Sequence, residues 1–127
     1  MGGITGITVG ELAASIGGKV INQQDKTGGV VENYMLGALT PDSGLDYFSR
    51  KQKKAAIIRQ EREDMQLAAL ETSTICLILS GEDKAPDYRV LQKANRRGIP
   101  IITTTASVND IVTRIDNKLA KPADTYK

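Results

Sequence analysis

A chain of 127 residues with 40% hydrophobic and 25% charged residues fits one globular domain and excludes the disordered, collagenous and membrane-embedded classes. Its net charge of +2, from 17 basic and 15 acidic residues, sets up no strong field, so neither a nucleic-acid backbone nor an anionic membrane is expected as a partner. The lone Cys76 lies in the apolar run 75–79 and reads as a small buried hydrophobe without a disulfide. With no leader and no spanning apolar run, the cytoplasm is the expected compartment. A single domain over 1–127 is expected, ordered over about 4–120 with a flexible tail at 121–127.

In chain order, Thr8 and Glu11 stand three apart as a capping box requires, and Val9, Leu12, Ala13 and Ile16 follow at helical spacing until Gly17 and Gly18. Residues 19–22 form a brief strand, and the polar stretch 23–29 is a loop in which Gly28 and Gly29 are expected to supply a turn with positive φ. Residues 30–39 start with β-branched valines and stay largely apolar, which predicts one strand. Thr40 and Pro41 then place an N-cap and a first helical residue for a short helix to about Phe48. The basic run Arg50, Lys51, Lys53, Lys54 leads into Ala55, Ala56, Ile57 and Ile58, a continuous apolar stretch typical of a strand covered on both faces.

The same unit recurs: a helix over about 64–72, a strand over 75–80, a helix over about 86–97 stopped by Gly98, and a strand over 99–103 with Pro100 tolerated at its start. Ser107 caps a last helix whose Val108, Ile111, Val112, Ile115 and Leu119 make the clearest amphipathic stripe in the chain. Helical crossovers between apolar strands predict a three-layer α/β/α domain with a mainly parallel sheet of about four to five strands.

The chain holds no histidine and no tryptophan, so the commonest general base near neutral pH and the commonest metal ligand are both missing. Cys76, within a predicted central strand, reads as packing rather than as a nucleophile. Asp42, Asp46, Glu61, Glu63, Asp64, Glu82 and Asp83 lack metal-loop spacing and read as solvated surface, so neither a metal nor another cofactor is expected. In open α/β sheets ligands bind beyond the carboxyl ends of the strands, which singles out 59–64, 80–86 and 103–107. Arg62 stands just before a helix start, where a cation opposes the macrodipole unless an anion intervenes, so Arg59 and Arg62 are candidate anion contacts beside Asp64 and Gly81. Thr103, Thr104, Thr105 and Ser107 offer hydroxyls and amides at the next helix start, although capping alone accounts for Ser107.

The loop Asp25-Lys26-Thr27-Gly28-Gly29, the run Glu61-Arg62-Glu63-Asp64-Met65-Gln66-Leu67-Ala68-Ala69-Leu70-Glu71-Thr72, and the strand Ile75-Cys76-Leu77-Ile78-Leu79 with Ser80-Gly81 together resemble the DRTGG domain family. The order of motifs, closing on Gly98-Ile99-Pro100, extends the resemblance over nearly the whole chain. Lys26 stands where the family's naming pentapeptide has arginine, a change that keeps the charge and loses any bidentate anion grip. The resemblance implies a fold like the amino-terminal domain of HPr kinase and a regulatory accessory role without catalytic residues. It implies as company the CBS nucleotide-sensing domains, inorganic pyrophosphatases and phosphate acetyltransferases beside which such domains occur. The leading expectation is a non-catalytic regulatory module that forms a homodimer through residues 25–39. The alternative is a sensor holding an adenine nucleotide or another small phosphorylated ligand against Arg59, Arg62, Gly81 and Thr103 to Thr105. An enzyme lacking histidine ranks last.

Overall fold

The computed structural model describes residues 6–37 and 53–119, with side chains in the last helix described to residue 117. The expected helix to Phe48, Arg50 and Lys51 of the basic run, and the tail 121–127 lie outside the described residues.

The chain opens on a two-residue strand, β1 (Ile7–Thr8), which runs straight into helix α1 (Val9–Ser15). The capping box forms as the sequence requires: the Glu11 amide donates to Thr8 Oγ1 at 3.1 Å, and the Thr8 amide donates to Glu11 Oε1 at 3.0 Å. Gly17, at φ +65, ends the helix, and strand β2 (Lys19–Val20) follows. A 3-10 turn (Gln24–Lys26) leads through the motif loop to β3 (Val30–Val31) and then β4 (Asn33–Leu36). After the undescribed stretch come β5 (Lys54–Arg59), α2 (Glu63–Leu70), β6 (Thr74–Ser80), α3 (Tyr88–Arg96), β7 (Ile101–Thr104) and α4 (Val108–Leu119).

The main sheet has the order β2-β7-β6-β5-β4, parallel throughout except for β2, which pairs antiparallel with β7. Its central strands are apolar on both faces because both faces are covered. Ala55, Ile57, Cys76, Ile78 and Ile102 pack against Leu12 and Ile16 on the α1 side and against Ile111 and Ile115 of α4. The alternate residues Ala56, Ile58, Leu77, Leu79 and Ile101 pack against Met65, Ala69 and Leu70 of α2 and Val90 and Ala94 of α3. The three-layer α/β/α architecture expected from the alternation is therefore the observed one.

Three local expectations are corrected. The single strand over 30–39, whose last two positions lie outside the described residues, is two: Val30 and Val31 pair antiparallel with β1 in a separate ribbon, and of the described residues Asn33–Leu36 joins the main sheet beside β5. Val31 is fully buried under α1, whereas β4 packs at the sheet edge, so the chain turns at Glu32 to serve two partners. Gly28 and Gly29 do not adopt positive φ; the left-handed residue of that loop is Gln23, at φ 52, and the positive-φ glycines are Gly17, Gly81 and Gly98. The last strand begins at Ile101, because the carbonyl of Pro100 and the buried Asn22 side chain take over the hydrogen bonding just before it: Leu77 N donates to Pro100 O at 3.0 Å, and Ile101 N donates to Asn22 Oδ1 at 2.6 Å.

Lys54 is the fourth finding. Placed by the sequence at the end of a basic run, it is the first residue of β5 and fully buried. Its Nζ donates to Thr72 Oγ1 at 3.0 Å and to the Ser73 carbonyl at 2.7 Å, and burial lowers its pKa to about 8.

Candidate functional site

Strands β5 and β6 deliver the chain to α2 and α3 on one face of the sheet, whereas β7 delivers it to α4 on the other. Where the crossover changes face the connecting loops diverge, and a gap opens beyond the carboxyl ends of the strands. A cleft of about 660 Å³ occupies that gap. Arg59, Gln60 and Glu61 line it from the loop after β5, Ser80, Gly81, Glu82 and Lys84 from the loop after β6, and Ser107, Val108 and Asn109 from the start of α4. A smaller hollow of about 340 Å³ adjoins it through the shared residues Arg59, Glu61 and Val108; its floor is Leu36, Gly37 and Ile57, and Arg62 stands on its rim.

Two glutamines fix the wall. Gln66, on the buried side of α2, donates to the carbonyls of Arg59 at 2.9 Å and Gln60 at 3.2 Å, which pins the loop after β5 to the helix it precedes. The Gln60 amide donates to Ser80 O at 3.0 Å, and its side chain donates to the carbonyls of Glu82 at 3.3 Å and Lys84 at 2.9 Å, stitching the two loops together. Gly81, at φ +103, makes the turn that lets the second loop bend away from β6. On the opposite wall Ser107 Oγ accepts from the Asp110 amide at 3.2 Å and caps α4, whose positive dipole end faces the cleft.

The cations here are neutralised locally. Arg59 Nε lies 3.1 Å from Glu61, and Lys84 Nζ lies 2.9 Å from Glu82. Arg62, at the N-cap position of α2, donates to both carboxylate oxygens of Asp64, from Nε at 3.2 Å and from a terminal nitrogen at 3.3 Å. These bonds are the leading cause holding the Asp64 carboxyl below its usual range. The anion that relieves a cation at a helix start is thus supplied by the chain itself.

Of the residues singled out in the sequence, Arg59, Gly81 and Ser107 come together in the cleft and Arg62 stands on the adjoining rim. Asp64 lies behind Arg62 as its partner. Thr103 Oγ1 donates to Asp83 at 2.8 Å, and Thr104 Oγ1 donates to the Ile16 carbonyl at 3.0 Å while accepting from the Ala106 amide at 3.1 Å. Both threonines are buried, and their hydroxyls hold the sheet to its surroundings; Thr105 is exposed and does not line the cleft. Gln60 and Lys84 fall within the segments 59–64 and 80–86 without being named as contacts, and Gln66 lies outside them. Only Gln66 carried a signal, a polar residue sharing one helical face with Met65, Ala69 and Leu70.

Asp25, Lys26, Thr27, Gly28 and Gly29 lie at the other end of the sheet. The carbonyls of Thr27 and Gly29 each accept at 3.0 Å, from the amides of Gly10 and Val9, so the loop satisfies donors that the first turn of α1 would otherwise leave open. A hollow of about 320 Å³ separates this loop from the starts of β6 and β7, with Thr74, Ile75, Arg97, Gly98, Ile99 and Pro100 on its far side.

These features define a small three-layer α/β domain with an open cleft beyond its strand ends. Residues 11–117 match the DRTGG domain, and the chain belongs to that family. It is similar to a crystal structure of the CBS and DRTGG domains of the regulatory region of Clostridium perfringens pyrophosphatase, complexed with its activator, diadenosine tetraphosphate. The TM-score is 0.73 at 18% sequence identity over 88% of this chain, and the likeness shows the shared fold. This chain spans 47% of that structure's length, about half. Among the described residues no helix is long and apolar enough to cross a membrane, and no group of histidine, cysteine, aspartate and glutamate side chains could hold a metal ion.

Proposed function

We propose that this chain is a regulatory module that senses a phosphorylated ligand of the adenine-nucleotide class at the cleft beyond its strand ends and passes the bound state to a CBS-type or enzyme domain. The observation that carries this reading is the cleft itself: about 660 Å³ of open space walled by Arg59, Lys84, the Gly81 turn and the start of α4, beside an apolar hollow with Leu36 and Ile57 in its floor. Phosphates suit the first compartment and a base the second. The ion pairs of Arg59 and Lys84 are exposed and each is worth at most about 1 kcal/mol, so both side chains can turn onto a ligand phosphate at little cost. Membership of the DRTGG family, and the activator complex of the pyrophosphatase regulatory region, support a regulatory role.

The module regulates rather than catalyses. The chain has no histidine, and the buried Cys76 thiol, pushed up to about 12 by burial, supplies no thiolate near neutral pH. The test is a thermal-shift series with AMP, ADP, ATP, diadenosine tetraphosphate and inorganic phosphate. A ligand at 100 times its dissociation constant adds about 2.7 kcal/mol, or several degrees for a domain of this size. Saturable stabilisation that Arg59→Ala removes supports the reading; no stabilisation by any of the five overturns it.

A second reading, self-association, is favoured by one observation. Val30 is 44% exposed beside β4, the last strand at its edge of the main sheet among the described residues. A homodimer built on residues 25–37 would cover both. Sedimentation showing only monomer at high concentration disposes of it.

A further inference from the structure

We propose that the motif loop forms a second anion site, distinct from the cleft, which takes the phosphate group of a small phosphorylated ligand at the amino-terminal end of the parallel strands.

Two cations line the 320 Å³ hollow there, Lys26 from the motif loop and Arg97 from the turn that follows α3. Neither has an ion pair or a side-chain hydrogen bond among the described residues, in contrast to Arg59, Arg62 and Lys84 at the cleft. Asp25 is the only carboxylate on the lining, which leaves the hollow with one net positive charge. Lys26 is not splayed into solvent at random: a Cβ added to Gly98 would stand 2.8 Å from its Nζ, so the ammonium rests on the Gly98 turn at the mouth of the hollow. Gly98, at φ +66, makes that approach possible because it carries no side chain.

The loop also presents backbone. Its hydrogen bonds use the Lys26 amide, the Gly29 amide and the carbonyls of Gln23, Lys26, Thr27 and Gly29, and the Gly28 amide takes no part. Gly28 is exposed and lines the hollow, which sets its backbone on the surface a ligand there would meet. Two cations flanking this exposed backbone form a receptor for a phosphate oxyanion, with lysine acting as a point charge and arginine as a fork. Asp25 repels a bare anion and accepts from a hydroxyl or amine, which favours a phosphate ester carrying such a donor over inorganic phosphate.

The test is a titration of the full 127-residue chain with sodium phosphate at constant ionic strength, read from amide chemical shifts. Saturable shifts are expected at Lys26, Gly28 and Gly98. The exposed double variant Lys26→Gln/Arg97→Gln weakens binding at least about tenfold, Lys26→Arg keeps it, and Asp25→Asn tightens it a few-fold. Arg59→Ala, at a residue that does not line this hollow, leaves the shifts at Lys26, Gly28 and Gly98 unchanged, which separates this site from the cleft. Shifts at Lys26, Gly28 and Gly98 that sodium chloride alone reproduces, or that survive in the double variant, overturn the proposal, as does the absence of saturation there.

Discussion

The two ends of the parallel strands are built on opposite electrostatic plans. At the carboxyl end every lining cation has a carboxylate two residues away in sequence, Arg59 with Glu61, Arg62 with Asp64, and Lys84 with Glu82. At the amino end Lys26 and Arg97 have no ion pair among the described residues, and Lys54 is carried fully into the protein beside Thr72 and Ser73. Short-range pairing leaves the cleft close to neutral and its side chains easy to redirect. Positive charge at the other end is fixed by backbone turns and by burial. A charge count over the whole chain misses this division, because +2 is a sum over all 127 residues without regard to position.

Lys54 offers the largest way to break the comparison. Its pKa is about 8 in the folded protein and 10.5 in the unfolded chain, so between those values the unfolded state holds more protons and stability rises with pH. The gain by about pH 10.5 is up to about 3 kcal/mol. Cys76 works in the opposite sense above pH 9, because its thiol stays protonated in the fold up to about 12. Urea unfolding of wild type and Lys54→Met across pH 7 to 10.5 isolates the lysine: the difference between them should grow with pH by that amount, and a constant difference contradicts the assignment.

Gln66→Leu comes next. It removes the side-chain donor from the part-buried carbonyls of Arg59 and Gln60, the first of which keeps the Arg62 amide, and should cost about 1 kcal/mol, with faster amide exchange concentrated at the cleft rather than at the motif loop. At the opposite end Gly98→Ala forces a Cβ into the left-handed region and against Lys26, a loss of about 1 kcal/mol visible as a lower urea midpoint. The smallest effects on stability, within about 0.5 kcal/mol, are expected from Arg59→Ala and Lys26→Gln, both exposed. These two variants therefore report on ligands with the fold left intact, each at its own end.

Much of this was legible in the sequence where the information is local. The Thr8/Glu11 cap, the stop at Gly98, the stripe through Ile111 and Ile115, and the doubly buried strands around Ala55 and Leu77 all follow from neighbours a few residues apart. What was not legible depends on residues far apart. Nothing near Val31 tells it to leave the main sheet; it does so because β1, more than 20 positions earlier, offers an edge beneath α1. Lys54 sits in a basic run and still goes inward, because Thr72 and Ser73 meet it from the end of α2. Arg59, Gly81 and Ser107 were identifiable as strand-end residues, but the glutamines that set their spacing act through backbone carbonyls, which carry no sequence signature. The motif loop was conspicuous by its residues, yet its support of α1 runs through Thr27 and Gly29 carbonyls and is visible only in the folded chain.

The central claim is that a phosphorylated ligand of the adenine-nucleotide class binds at the cleft beyond the strand ends. Amide chemical-shift mapping of the whole chain during a titration with ATP at constant ionic strength tests it most directly. The account predicts saturable shifts centred on Gln60, Gly81, Glu82 and the first turn of α4, lost in Arg59→Ala. An absence of saturable shifts, or shifts centred elsewhere and indifferent to Arg59, would contradict it.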